Sequence, residues 1–156
     1  MNEAPGETPG VMVFPPLLWG GPLLFGLLLQ WLLPLDLEVS RLVRHAGGVL
    51  ALASGALARW GEVTLKRAGT NVRPDRPTTA IVTAGPYRFT RNPLYLSLLG
   101  LYVGVTVAVG TIWPLIWLPL LLVVTHYGII RREERYLAAR FGEPYLEYTR
   151  RVRRWI

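Results

Sequence analysis

The 156-residue sequence contains no cysteine. That excludes disulfides, thiolate metal sites, iron–sulfur clusters and a cysteine nucleophile. Histidine is nearly as scarce: His45 and His126 are the only two, and their separation is not that of a metal-binding pair. No metal site is expected. There is no Walker motif and no GxGxxG, so no phosphate-cradling loop is signalled. Lysine is reduced to Lys66 against sixteen arginines, and charge of either sign is missing from Leu94 to Ile130.

Apolar residues are plentiful. They make up 51% of the chain, with a mean hydropathy of +0.32. They fall in long runs, and runs near 20 residues match a hydrocarbon layer of roughly 30 Å. The formal net charge is +7. In a soluble chain this would suggest nucleic acid. Here the basic residues flank apolar runs, which reads instead as a cytoplasmic face meeting anionic headgroups.

The expected fold is all-α: one polytopic membrane domain over residues 1–156 with about four transmembrane helices. Residues 1–13 contain proline, glycine, Glu3 and Glu7, lack the positive start of a signal peptide, and read as a short loose terminus. A first span runs over about 14–35, with Gln30 its only clearly polar side chain, Pro22 inside it and Pro34 closing it. A second runs over about 42–60, where Gly47, Gly48, Ser54 and Gly55 allow close helix approach. Residues 61–93 form a polar connector holding Arg67, Arg73, Pro74, Arg76, Pro77, Arg88 and Arg91. The uncharged stretch that follows is too long for one helix. Gly110, Thr111 and Pro114 divide it into spans over about 94–109 and 112–130. In the basic tail, Gly142 suits a helix C-terminus and Pro144 the first turn of a further helix.

Fifteen of the seventeen Lys and Arg residues lie in 59–91 or 131–156. With four spans those segments share one side, and the positive-inside rule makes it cytoplasmic, with both termini. The excess of arginine over lysine points to a GC-rich bacterial genome, hence a bacterial inner membrane.

Two constellations carry chemistry. The first is Gly85-Pro86-Tyr87-Arg88-Phe89-Thr90-Arg91-Asn92-Pro93-Leu94-Tyr95. Asn92 and Pro93 suit a helix cap and first turn, with Arg91 and Tyr95 as interface anchors. Alternatively the helix entry, with an arginine fork beside it, holds a polar or anionic ligand group. The second is Arg131-Arg132-Glu133-Glu134-Arg135. At about 100° per residue, Glu134 falls on the apolar stripe of Ile130, Leu137 and Phe141, while Glu133 lies at its edge toward His126. A carboxylate there requires a partner, whether protein or ligand.

These pieces, in order, resemble the isoprenylcysteine carboxyl methyltransferase family and the related phospholipid N-methyltransferases. The matching residues are Gly85-Pro86-Tyr87, Arg91-Asn92-Pro93-Leu94-Tyr95, Glu133-Glu134, Phe141-Gly142-Glu143-Pro144-Tyr145-Leu146-Glu147-Tyr148 and Arg151-Val152-Arg153-Arg154-Trp155. The resemblance covers about 79–155. It implies S-adenosylmethionine as methyl donor, held by Thr79, Ala80, Ile81, Val82, Tyr87, Asn92, Pro93, Leu94, Tyr95, Glu133 and Glu134. It also implies a lipophilic or membrane-embedded acceptor carrying a carboxylate, thiol or amine.

Three positions depart from the family pattern. Asn92 replaces a histidine and cannot titrate. Ser97 replaces a glycine. Ile129 stands where eukaryotic members carry a substrate-facing arginine, a role open to Arg131 or Arg132 only if their face turns inward. No catalytic base is nominated, because in-line methyl transfer to a nucleophile rests on alignment and water exclusion. Two other readings stay open: an NADPH-dependent membrane reductase of the sterol-reductase type, and a non-catalytic membrane protein.

Overall fold

The computed structural model describes residues 14–72 and 78–155. The expected loose terminus at 1–13 and the connector residues Arg73, Pro74, Arg76 and Pro77 lie outside them. The described residues are helical throughout and contain no strand; Asp36 and Thr111 form an isolated backbone bridge.

Helix α1 (Pro15–Leu32) opens on two prolines and continues through Pro22. Helix α2 (Arg41–Arg67) is capped by Ser40, whose hydroxyl accepts from the Val43 N–H at 3.4 Å. It outlasts the apolar run, which ends near Trp60, so the first residues of the expected connector are helical. Glu62 explains the extension. It pairs with Arg59 and Lys66 at i−3 and i+4, and Lys66 and Arg67 sit favourably at the C-terminal end of the helix dipole.

The hairpin forms as expected. Helix α3 (Pro93–Val109) ends at Gly110, and α4 (Trp113–Val123) returns. Beyond Val123 the helix widens into a π-helical stretch, Val124–Ile130, and runs on as α5 (Arg131–Phe141). Gly142, at φ +60°, adopts a conformation that side chains disfavour, and α6 (Glu143–Arg151) follows with proline in its first turn. Among the described residues, two helices are long and apolar enough to cross a membrane: Pro15–Leu32 and the continuous Trp113–Phe141. Pro93–Val109 is apolar but shorter.

Packing brings α2 against α3 through small residues. A Cβ on Gly104 would lie 2.6 Å from the Ala51 nitrogen, and one on Gly47 would lie 2.8 Å from the Ala108 nitrogen. Gly48 and Gly55, also expected in this role, face open space. On the other side, α1 meets α3 and α4 at Trp19. Its indole donates to Thr125 Oγ1 at 3.1 Å and packs edge-on to Tyr102 at 5.5 Å.

The two ends of the bundle differ. At one end Gln30 Nε2 donates to Asp36, and Gln30 Oε1 accepts from the Leu35 N–H and the Thr111 hydroxyl, tying α1 to the hairpin turn. The start of α1, the end of α2, the start of α3 and helices α5 and α6 meet at the other end, around a cavity.

Candidate functional site

The cavity measures about 620 Å³, within the usual range of small-molecule sites. Its walls come from segments far apart in sequence. The connector gives Ala80, Ile81 and Val82, and the tight turn before α3 gives Tyr87. Asn92, Pro93, Leu94 and Tyr95 come from the start of α3, and Glu133 and Glu134 from α5. Ten of the eleven residues that the sequence nominated for a cofactor are thus brought together.

Thr79 is the exception. Its N–H donates to Thr70 Oγ1 at 3.1 Å and its hydroxyl to the Gly69 carbonyl at 2.9 Å. These bonds fasten the connector to the end of α2, away from the cavity wall. Arg131 and Arg132, nominated for the substrate, are not brought to the cavity. Both are exposed; Arg131 lies over the Tyr127 ring at 5.5 Å. Their face of α5 points outward because the opposite face carries Tyr136, Leu137 and the two carboxylates inward. Ile129 is buried against Tyr95 and Ile130, so apolar packing occupies that position.

The adjacent carboxylates have different surroundings. Glu133 accepts a 2.9 Å hydrogen bond from the Tyr95 hydroxyl. Glu134 accepts from Arg154 through both oxygens, at 2.9 and 2.7 Å, and forms an ion pair with Arg91 Nη1 at 3.0 Å. The helical projection expected Glu134 to be partly buried, and its side chain is 17% exposed. Glu133 lines the main cavity, whereas His126 lines a separate recess with Leu99 and Trp155.

Asn92 occupies the N-cap position but makes no cap bond with its side chain. Its Nδ2 donates instead to the Arg154 carbonyl at 3.0 Å, beside a 3.1 Å bond from the Thr90 hydroxyl. The Arg91 N–H donates to the Arg153 carbonyl at 3.0 Å. Three bonds therefore pin the C-terminal tail to the Arg-Asn-Pro entry. Ser97 is buried and turns its hydroxyl back to the Leu94 carbonyl at 2.7 Å.

Further cavity residues lie outside the eleven nominated for the cofactor, among them the arginine read as a fork at the helix entry. Arg91 lines the cavity with its Nε buried and without a hydrogen-bond partner among the described residues. Tyr145 and Tyr148 of α6 also line it. Their i, i+3 spacing puts them on one helix face, a signal present in the quoted Tyr-x-x-Tyr motif. Tyr148 donates to the Tyr87 carbonyl at 2.7 Å. Burial pushes the Tyr145 phenol up to about 12, with Glu134 adding to the shift and Arg91 opposing it. Burial likewise raises Tyr87 and Tyr148. All three phenols stay protonated near neutrality. Ala58, Glu62, Leu65 and Lys66 give the wall from α2; their i, i+4, i+7, i+8 spacing makes one helix face, but nothing in the sequence says what that face meets.

Known proteins share this arrangement of sequence. A protein of Cupriavidus metallidurans described as cobalt-zinc-cadmium resistance protein CzcN is 36% identical over 78 residues, covering 49% of this chain and 35% of its own. The chain thus aligns with about a third of that relative's length. An uncharacterised protein of Haemophilus influenzae is 38% identical over 65 residues, covering 40% of this chain and all of its own. No solved structure matches. The sequence profile of the phospholipid methyltransferase family matches residues 43–144, from α2 through the cavity carboxylates to the start of α6. The chain belongs to the phospholipid methyltransferase family of membrane methyltransferases.

Proposed function

We propose that this chain transfers a methyl group from S-adenosylmethionine to a lipophilic or membrane-embedded acceptor. The cofactor would sit in the cavity at the charged end of the helices, within the half spanning 79–155. The observation that carries this reading is the convergence of separated family motifs on one 620 Å³ cavity.

The residues present fit such a ligand. A buried guanidinium nitrogen with no partner suits a carboxylate, and Arg91 supplies one. A cavity carboxylate suits ribose hydroxyls or an amine, and Tyr95 orients Glu133 for that task. Ala80, Ile81, Val82 and Leu94 give an apolar wall for a planar base and exclude water. Tyr87, Tyr145 and Tyr148 present protonated aromatic rings, whose faces favour a cation. When bound, the sulfonium supplies an electrophilic methyl group. The chain's own contribution is then to orient the donor, shield it and admit an acceptor that is already nucleophilic.

Helices α1 to α4 are read as four spans in a bacterial inner membrane. Both basic segments, and with them the cavity, face the cytoplasm. Membership of a methyltransferase family favours methyl transfer over the nicotinamide-reductase reading.

Calorimetry on the detergent-solubilised chain tests the cofactor. S-adenosylmethionine should bind, and S-adenosylhomocysteine should compete with it. Binding of NADPH with none of S-adenosylmethionine would overturn the proposal.

A further inference from the structure

Glu134 lines the cavity, but its oxygens are already engaged. A carboxylate offers about four lone-pair positions; Arg154 takes two of those on Glu134, and the Arg91 guanidinium pairs with the same carboxylate at 3.0 Å. Glu133, beside it, takes a single bond from Tyr95. The free acceptor capacity therefore lies on Glu133. Glu134 instead bridges two guanidinium groups, one before α3 and one in the tail.

The tail is fixed independently of that bridge, by the bonds from Arg91 N–H, Thr90 and Asn92 to the carbonyls of Arg153 and Arg154. Trp155 also packs against the cluster of Tyr95, Ile129 and Ile130. Arg154 is thus a rigid post. It holds Glu134 by a bidentate fork, a geometry that sets orientation as well as distance. Glu134 in turn holds one end of the Arg91 guanidinium, whose Nε is left buried and unpartnered.

We infer that Arg154 and Glu134 are positioning residues. They fix the Arg91 guanidinium in the cavity wall so that its remaining edge receives the carboxylate of the methyl donor. The inference rests on the cofactor reading above. An arginine held in advance loses less rotamer freedom when the ligand arrives. Without the bridge, the Arg91 guanidinium keeps Tyr145 beside it but loses the carboxylate that sets its orientation.

The test compares two probes on the full chain in detergent: S-adenosylmethionine and its decarboxylated analogue. The native chain should prefer the carboxylate-bearing ligand by about tenfold to a hundredfold, the range of one charge-assisted bond. In Glu134→Gln and Arg154→Gln that preference should fall to about threefold or less, with the analogue's affinity unchanged. A purely structural role would instead weaken both ligands together, and that result, or an intact preference, overturns the inference while leaving the cofactor reading standing. Failure of the native chain to bind either ligand defeats both. Arg154→Lys guards against misfolding: it keeps the charge and loses the fork, and should still reduce the preference.

Discussion

Two neighbouring carboxylates divide the chemistry at the residue scale. Glu134 is committed to Arg91 and Arg154, whereas Glu133 keeps acceptor capacity toward the cavity and takes its orientation from Tyr95. Glu133→Gln should therefore lower S-adenosylmethionine affinity by roughly tenfold to a hundredfold, the equivalent of one bond to a charged group at about 1.5–3 kcal/mol. The loss should extend to the decarboxylated analogue, because in the proposed site Glu133 would meet hydroxyls or the amine rather than the carboxylate. Arg135→Gln is the control. Its side chain is exposed and returns to the Arg131 carbonyl at 3.3 Å, so titration calorimetry should find native affinity. Unchanged binding in Glu133→Gln would remove that residue from the site.

At the scale of elements, the contact between α2 and α3 places the cavity walls. The end of α2 and the start of α3 meet at the cavity because the two helices approach at Gly47 and Gly104, where backbone touches backbone. Gly104→Leu has no space to fill, since the nearest atoms belong to the main chain of α2. Overpacking of this kind costs typically about 1–3 kcal/mol, and backbone neighbours cannot step aside as side chains do. The expected outcome is a clear fall in thermal midpoint in detergent, together with weaker ligand binding as the walls part. Gly48→Ala, one residue from Gly47 but facing open space, should leave the midpoint unchanged or raise it through better helix propensity. Equal behaviour of the two variants would show that the α2–α3 contact does not set stability.

On the scale of the whole molecule, charge and apolar surface lie apart. Leu17, Leu24, Leu28, Leu52, Ile116 and Leu120 are exposed along the sides, an arrangement costly in water and natural in lipid. Among the described residues, most arginines lie toward the cavity end, while Arg41 and Arg44 lie at the start of α2 and Arg44 meets the Gly110 turn. Reporter fusions placed after Arg67 and at the C-terminus should both report cytoplasm, and one at Gly110 should report the opposite side. A cytoplasmic signal at Gly110, or an external one at either basic segment, would refute the four-span arrangement.

The sequence by itself determined the local features. The break at Gly110, the turn at Gly142 and the helix start at Pro93 follow from backbone chemistry that acts within a few residues. The apolar runs followed from the length a bilayer demands, and ordered motifs nominated ten residues that line one cavity. The end of α2 was misjudged because hydropathy stopped at Trp60 while charge pairs carried the helix to Arg67. Other matters were decided only in three dimensions. Helical projection placed Glu134 on an inward stripe but could not name Arg91 and Arg154 as its partners, since those pairs join segments 43 and 20 residues away. The part of α2 in the cavity wall was invisible for the same reason: periodicity shows which face of a helix is apolar, and only packing shows what that face meets.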